Sequence, residues 1–235
     1  MSAAPVALVT GGTGAIGRAI AVALRDAGYR VVVAALDGTG AGLPEGVEGR
    51  DLDVTDDGSV AAVLKGLGPL SVLVNAAGIT AREGREFEPD VFCRIVDVNL
   101  NGAMRMSMAA RPQLQEAEAS SVVNVCSMLS FFGSPTVPAY AASKGGLLLL
   151  TKSLAGAWAE EGIRVNAVAP GYIETELTEA LHTHDGHRAR IEARTPMRRW
   201  GRPEDVTGAV VFLCSSQAAF VTGAVIAADG GYSAI

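Results

Sequence analysis

The sequence predicts an α/β fold in which helices cover both faces of one doubly wound parallel sheet. Short apolar runs of buried-strand type alternate along the chain with segments whose apolar residues recur at helical spacing. Such alternation is typical of parallel sheets, because each helix returns the chain to the start of the next strand. With 235 residues, 49% of them hydrophobic and 19% charged, the chain can bury the core of one large domain. We therefore expect residues 1–235 to form a single domain.

Charge and cysteine content disfavour several classes of protein. A formal net charge of −6 argues against nucleic acid binding, which needs a basic surface. Three cysteines without metal-ligand spacing indicate buried thiols in a reducing compartment. The uncharged span 207–228 is divided by a polar Ser215-Ser216-Gln217 turn, so we expect a helix and a strand there and no membrane segment. The amino terminus shows no basic stretch followed by an apolar one, and we expect a cytoplasmic protein.

The first strand, 6–9, leads directly into a glycine-rich turn and a helix that ends at Gly28. Glycines allow the backbone to approach a ligand, and the free N–H groups at the start of a helix attract a pyrophosphate. Strand, turn and helix in this order are typical of a Rossmann-type dinucleotide site, whereas the turn alone would be equally consistent with a structural role. The candidate coenzyme contacts in the turn are Gly11, Thr13, Gly14, Ala15, Ile16 and Gly17.

The second strand, 30–35, is followed by an acidic residue, Asp37. A carboxylate at this place accepts a hydrogen bond from a ribose 2′-hydroxyl and repels a 2′-phosphate. No Lys or Arg follows the strand closely, so we expect NAD as coenzyme, with NADP as the alternative. The next segment, 38–49, is too rich in glycine for a long helix.

The middle of the chain adds two strands and two helices. They are a strand ending at 51–54, a helix over 56–67, a strand over 70–74 and a long helix over about 89–115. The fourth strand runs into Asn75-Ala76-Ala77-Gly78, whose small residues leave room for a ligand. Asn99 and Asn101 lie inside the long helix although asparagine is a poor helix former, so we expect a polar function for at least one of them.

Three residues near position 130 form a candidate catalytic group. Ser127 ends the fifth strand, and Tyr140 and Lys144 follow on a helix, four residues apart and therefore on one face. A lysine ammonium beside a phenol favours the phenolate, which would suit Tyr140 for general acid or base catalysis. The alternative for an isolated pair of this kind is a half-buried tyrosine with a lysine that reaches solvent.

The last third of the chain contains two further strands, over 163–168 and 224–227, and a helix over 203–213. Between them, 177–199 is polar and carries His182, His184 and His187. Histidine and carboxylate groups are zinc ligands, but the glycine-interrupted sequence favours a mobile flap over the substrate. We expect no metal.

With these motifs in this order, the chain resembles the classical short-chain dehydrogenases/reductases from about Val6 to Gly231. The resemblance implies a catalytic tetrad. Asn99 would hold a water in a proton relay with Lys144, and Ser127 would bond the substrate oxygen. Tyr140 would transfer the proton, and Lys144 would also hold the nicotinamide ribose.

The resemblance also implies coenzyme contacts beyond the glycine turn, and it has departures. The further contacts are Asp53, Val54, Asn75, Ala76, Ala77, Gly78, Pro170, Gly171, Ile173 and Thr175, together with Tyr140 and Lys144. Ala15 stands where the family motif has its middle glycine, and the usual acidic residue aligns with Ala35, two residues before Asp37. The segment between strands two and three is shorter than in typical members.

We therefore predict an oxidoreductase that interconverts a secondary alcohol and a ketone on a small substrate such as a sugar acid or polyol. An alternative is an NADPH-dependent 3-oxoacyl-thioester reductase. A second is a non-catalytic dinucleotide-sensing regulator, although all four tetrad positions are filled. The resemblance implies a homo-oligomer, with a tetramer favoured over a dimer, assembled through the helices at 89–115 and 139–161.

Overall fold

A computed structural model describes residues 4–40 and 42–235. Its centre is a sheet of seven parallel strands in the order β3-β2-β1-β4-β5-β6-β7, as the alternation of strands and helices predicts. The strands are Val6–Thr10 (β1), Arg30–Ala35 (β2), Val47–Asp51 (β3), Val72–Asn75 (β4), Ser120–Val125 (β5), Ile163–Pro170 (β6) and Val225–Ala228 (β7). The strand order reverses between β1 and β4, which is where a doubly wound sheet opens a crevice at its carboxyl edge.

Eight α-helices connect the strands in the described part of the chain. They are Ala15–Asp26 (α1), Asp57–Leu64 (α2), Pro89–Val96 (α3), Gly102–Glu116 (α4), Pro138–Trp158 (α5), Glu179–His182 (α6), Asp185–Arg194 (α7) and Glu204–Cys214 (α8). None of these helices combines the length and the apolar character that crossing a bilayer requires.

The core lies on both faces of the sheet. Leu8, Leu73 and Val122 pack with α2, α4 and α5 on one face, whereas Val9 and Val74 pack with α1 and α8 on the other. Successive strand residues point to opposite faces. A strand buried on both faces therefore needs an uninterrupted apolar run, which is the pattern that identified these strands in the sequence.

The strand predicted to end within 51–54 is β3, Val47–Asp51, which ends at the first of those residues. It is an edge strand and is only partly buried, so it lacks the apolar run of the central strands. Backbone contact fixes its position: a Cβ on Gly38 would lie 1.7 Å from the Arg50 carbonyl oxygen, and one on Gly49 would lie 1.9 Å from the Gly38 oxygen. The described residues of the short connection between β2 and β3 contain no helix, as their glycine content predicts.

The long helix predicted over 89–115 is interrupted. Helices α3 and α4 are joined by a π-helical turn, Asp97–Asn101. Wider turns of this kind insert an extra residue into a helix and are frequent at functional sites. This one carries Asn99, which is 1% exposed, whereas Asn101 is exposed on the same turn.

Candidate active site

An open cavity of about 580 Å³ runs along the carboxyl edge of the sheet. Parallel strands present their carboxyl ends at one edge, so the loops after β1, β2, β3 and β4 all contribute to it. Its lining residues are Gly11, Thr13, Gly14, Ala15, Ile16, Gly17, Ala34, Ala35, Leu36, Asp37, Leu52, Asp53, Val54, Ala76, Ala77, Gly78, Ile79, Arg94, Val98, Thr175, Glu176 and Leu177.

The glycine turn forms a close-packed cradle at the floor of this cavity. Gly11 has φ of 65°, and a Cβ there would lie 2.8 Å from the Ala77 backbone. A Cβ on Gly17 would lie 2.3 Å from the Gly11 carbonyl oxygen. Helix α1 begins at Ala15, directly above the turn, so its unpaired N–H groups face the cavity. This geometry fits a dinucleotide pyrophosphate, and the Ala15 methyl group lies along the cavity without closing it.

Two carboxylates lie at the far end of the cavity. The Asp37 Oδ1 atom accepts a hydrogen bond of 3.2 Å from the Thr13 hydroxyl. Asp53 Oδ1 accepts bonds of 2.7 Å from the Thr55 hydroxyl and 2.9 Å from the Thr55 backbone. These bonds from Thr55 lower the pKa of Asp53. Negative charge and fixed acceptors at this end suit a ribose hydroxyl and an adenine amino group.

Ser127, Tyr140, Lys144 and Asn99 meet beside the cavity. Ser127 begins the loop after β5, and Tyr140 and Lys144 lie on successive turns of α5. The Lys144 Nζ atom lies 5.7 Å from the centre of the Tyr140 ring and donates a 2.7 Å hydrogen bond to the Val125 carbonyl. A Cβ on Gly78 would lie 3.4 Å from Asn99 Oδ1 and 3.5 Å from Lys144 Nζ.

The pKa of Tyr140 differs from the sequence-based expectation. Burial raises it to about 12, and the nearby Ser127 hydroxyl only partly offsets this. Burial also lowers the pKa of Lys144 to about 8. The spacing of Tyr140 and Lys144 predicted a phenolate-favouring pair, but removal of the phenol from water dominates the Tyr140 pKa, and Lys144 is not among the groups that shift it. Tyr140 is thus a protonated donor at neutral pH.

A family model described as enoyl-(acyl carrier protein) reductase matches residues 12–233, nearly the whole chain. The match includes most of the glycine cradle and all four polar residues. The chain belongs to the short-chain dehydrogenase/reductase family. As a member it is an NAD(P)-dependent oxidoreductase of secondary alcohols and ketones.

Curated relatives of this short-chain dehydrogenase/reductase match it end to end. The 2-dehydro-3-deoxy-D-gluconate 5-dehydrogenase of Pseudoalteromonas atlantica is 36% identical over 241 residues, covering 97% of this chain and 95% of the relative. The 3-oxoacyl-(acyl-carrier-protein) reductase FabG of Vibrio harveyi is 39% identical over 237 residues, covering 96% of each. A solved gluconate 5-dehydrogenase from Burkholderia cenocepacia, in complex with NADP and tartrate, superimposes with a TM-score of 0.92 at 33% identity and covers 98% of this chain and 96% of that one.

Six residues proposed as coenzyme contacts are not among the lining residues of the cavity: Asn75, Tyr140, Lys144, Pro170, Gly171 and Ile173. Asn75 is 3% exposed, and its amide donates to Ser107 Oγ at 3.0 Å and Asn124 Oδ1 at 2.9 Å. It shares its sheet face with Leu73, towards α4, so its side chain lies in the core and not beside a ribose. Pro170, Gly171 and Ile173 place the loop after β6: a Cβ on Gly171 would lie 2.7 Å from Asp229, and Ile173 is buried. Thr175, further along, does line the cavity.

Several lining residues were not predicted from the sequence. Arg94 and Val98, four residues apart, also line the cavity, as do Ile79 and Leu177. After the Thr55 hydrogen bonds, the nearby charge of Arg94 also helps to lower the pKa of Asp53. In the sequence, Val98 looks like any apolar helix position, and Arg94 looks like any solvent-exposed helix residue. The fold brings them to the cavity because α3 crosses the carboxyl edge of β4.

The predicted flap over 177–199 contains α6 and α7. It contacts the site through Leu177, whose carbonyl accepts a 3.0 Å hydrogen bond from Arg82 Nη2, and through the Thr178 hydroxyl, which donates to the Thr175 carbonyl at 3.1 Å. His184 and His187 stack on each other with ring centres 4.8 Å apart, whereas His182 lies against Trp200 at 5.7 Å. Within residues 4–40 and 42–235, no group of three or more His, Cys, Asp and Glu side chains has metal-binding geometry.

Proposed function

We propose that this enzyme interconverts a hydroxyl group and a ketone on a small sugar acid, with NAD as the preferred coenzyme and Tyr140 as the general acid and base. The observation that carries the proposal is the half-buried Tyr140 phenol with the buried Ser127 and Lys144 side chains beside a cavity shaped for a dinucleotide. Phenol, hydroxyl and ammonium in one place are the groups that a carbonyl reduction requires.

Each residue has a defined task in the reductive direction. A bound nicotinamide coenzyme supplies the hydride. The Ser127 hydroxyl donates a hydrogen bond to the carbonyl oxygen and polarises it, and Tyr140 then delivers its proton to that oxygen as negative charge develops there. Lys144 stabilises the resulting phenolate, whose charge the ammonium attracts through a low-dielectric interior. Alcohol oxidation uses the same groups with the proton moving in reverse.

Two guanidinium groups support an anionic substrate. Arg82 lowers the pKa of Tyr140 and of Tyr172, and Arg194 also lowers that of Tyr172, although burial of both phenols dominates. Arg194 lies over the Tyr232 ring at 4.2 Å and donates a 2.8 Å hydrogen bond to its hydroxyl. Positive charge on the substrate side of Tyr140 suits a carboxylate, and arginine binds carboxylates in bidentate fashion.

The names of the relatives are consistent with this substrate class. The Pseudoalteromonas atlantica relative is a deoxygluconate dehydrogenase, and the Burkholderia cenocepacia structure contains tartrate, a hydroxy-dicarboxylate. Similarity to the Vibrio harveyi reductase supports a second candidate, reduction of a 3-oxoacyl thioester. The 3-oxoacyl chain around the reacting carbonyl carries no carboxylate, so that reaction gives Arg82 none to bind.

A substrate panel with one variant separates the two candidates. Purified protein is assayed for NADH- and NADPH-dependent reduction of 5-ketogluconate, of fructose as a neutral sugar and of acetoacetyl-coenzyme A. We expect turnover of the sugar acid, with Arg82→Leu raising its KM about tenfold or more and Arg85→Leu, an exposed neighbour, leaving it unchanged. Faster turnover of the thioester, or equal KM values in both variants, would contradict the proposal.

The preference for NAD follows from charge at the ribose end of the cavity. Asp37 lies there, and Arg94, the one basic side chain among the described lining residues, lies near Asp53, whose carboxylate offsets its charge. A 2′-phosphate beside Asp37 would be repelled. Titration of protein fluorescence should show tighter binding of NADH than of NADPH, and Asp37→Asn should reduce the difference. Tighter binding of NADPH by the natural protein would refute this role for Asp37.

We also propose a cytoplasmic homo-oligomer, with a tetramer favoured. Met104 and Met108 on α4 and Leu149 on α5 are exposed apolar side chains, and Phe220 is fully exposed. Apolar surface of this kind is usually covered by a subunit contact. The exposed free thiol of Cys93 suits a reducing compartment. Light scattering should give four times the chain mass of 24.1 kDa, and a monomer would contradict the assignment.

A further inference from the structure

Glu86 is a fully buried carboxylate next to the catalytic helix. It lies on a single 3-10 turn, Arg85–Phe87, between β4 and α3, and its exposed fraction is 0%. Within the described part of the chain no Lys, Arg or His nitrogen comes within the 4.0 Å of an ion pair. A buried charge without a counter-ion is costly unless hydrogen bonds hold it.

Three donors supply those hydrogen bonds. Oε1 accepts from the Thr80 hydroxyl at 2.6 Å and from the Ala81 backbone at 2.9 Å, and Oε2 accepts from the Tyr140 backbone N–H at 2.9 Å. Tyr140 is the third residue of α5, so its N–H has no partner inside the helix. The N-cap residue, Val137, has no side-chain acceptor. Glu86 therefore caps α5 from 54 residues away and places a negative charge at the positive end of the helix.

This contact closes a ring of hydrogen bonds around the backbone of Tyr140. Its carbonyl accepts from the Ser143 hydroxyl at 2.8 Å, and Ser143 accepts from Asn99 Nδ2 at 3.1 Å. Asn99 in turn bonds both backbone groups of Ile79, at 2.8 and 2.9 Å. Glu86 joins the loop after Ile79 back to Tyr140. The ring fixes both backbone groups of the residue whose phenol must meet the substrate oxygen.

The loop that presents Glu86 adopts an unfavourable conformation to do so. Glu83 has φ of 60° and Gly84 has φ of 76°, one after the other. A positive φ is strained for a residue with a side chain, and such strain persists where the surrounding structure imposes it. Glu83 is the strained residue, three positions before Glu86, whereas Gly84 adopts its positive φ without strain and directly precedes the turn that carries Glu86.

We propose that Glu86 is a positioning residue that fixes the first turn of α5, and with it Tyr140, and that its carboxylate places negative charge near Tyr140. This rests on the proposed role of Tyr140. The charged and titratable groups that face the phenol are Cys126 and Ser127 after β5, Lys144 on α5, and Arg82 and Glu86 on the loop after β4. Glu86 acts with burial and Cys126 to raise the pKa of Tyr140, against Ser127 and Arg82.

The test compares E86Q and E86D with E88Q, an exposed neighbour, as the matched control. In reduction of 5-ketogluconate by NADH, kcat falls at high pH as Tyr140 loses its proton. E86Q removes the negative charge, so the pKa of Tyr140 falls and this alkaline limb moves to lower pH, with kcat about tenfold lower. E86D keeps the charge but shortens the reach, so its alkaline limb stays in place while kcat falls. E88Q should match the natural protein in both.

A second readout does not need turnover. Amide hydrogen exchange over residues 138–144 should be about tenfold faster in E86Q and E86D than in E88Q, with NADH affinity within threefold. Unchanged exchange, or an alkaline limb that does not move in E86Q, would overturn the proposal. If the natural protein showed no sugar-acid activity, only the proposed function would be refuted. The exchange measurement would still test the contact between Glu86 and Tyr140.

Discussion

Replacement of Asn75 by alanine should destabilise the protein without impairing coenzyme binding. The side chain is in register with Asn124 on the neighbouring strand, and Asn124 passes the network on to Thr151 at 2.9 Å. Asn124 Oδ1 and Ser107 Oγ each accept a hydrogen bond from the Asn75 amide, and the substitution removes that donor from both. An unsatisfied buried polar group costs about 1–3 kcal/mol, so we expect a loss of about 2–4 kcal/mol in the free energy of unfolding.

Urea denaturation followed by tryptophan fluorescence measures this loss, since Trp158 and Trp200 are both buried. With a slope of about 2–3 kcal/mol per molar urea, the midpoint should fall by about 1 M. Asn101→Ala is the matched control. Its exposed side chain makes a 3.1 Å bond to Asp97, and it should cost under about 1 kcal/mol. The NADH dissociation constant of Asn75→Ala should change by less than about threefold. A tenfold weaker affinity with an unmoved midpoint would show that Asn75 faces the coenzyme.

Three further substitutions test the cavity and the site. Gly17→Ala must displace the Gly11 carbonyl, only 2.3 Å from the new Cβ, so NADH binding should weaken by about a hundredfold or more; an unchanged dissociation constant would refute the cradle. Leu36→Arg puts a cation at the rim of the cavity and should tighten NADPH binding about tenfold at low salt and less at high salt; a salt-independent result would contradict this. Lys144→Met should abolish turnover yet stabilise the fold by about 1–3 kcal/mol at pH 7, because the natural ammonium is buried with a pKa of about 8 against 10.5 when unfolded.

The stability gain of Lys144→Met should depend on pH in a defined direction. A lowered pKa means that the folded natural protein binds its proton less readily than the unfolded chain. The natural protein therefore loses stability as pH falls from about 10.5 to about 8. Urea midpoints of the two proteins should thus converge above pH 10. A gain that is the same at pH 7 and pH 10.5 would show that burial of the charge is not its cause.

The sequence predicted the sheet and the proximity of Tyr140 to Lys144 well because their signals are local. Strands buried on both faces carry continuous apolar runs, and Tyr140 and Lys144 lie on one helix whose period sets their spacing. Only the end of strand β3 was predicted, because an edge strand has no such run, and contact between the Gly38 and Gly49 segments decides where it begins. The inward direction of Asn75 was accessible in principle, since it alternates with the core residue Val74 and shares a face with Leu73.

Other features depend on distant parts of the chain and left no local signal. Glu86 resembles any acidic residue in a polar loop, and only the fold places it against Tyr140. The π-helical turn at Asn99 likewise arises from the contacts that Asn99 makes with Ile79 and Ser143. The pKa of Tyr140 follows mainly from removal of its phenol from water, which spacing does not reveal. The sequence therefore overstated the effect of Lys144 on that pKa.

Tyr140→Phe tests most directly whether the Tyr140 phenol is the general acid and base of this enzyme. The variant should bind NADH within about threefold of the natural protein, because the ring and the hydrogen bonds of the Tyr140 backbone remain. Its kcat for 5-ketogluconate reduction should fall by roughly 10²–10⁴, the usual contribution of a general acid. Turnover within tenfold of the natural protein, with NADH binding intact, would contradict the assignment.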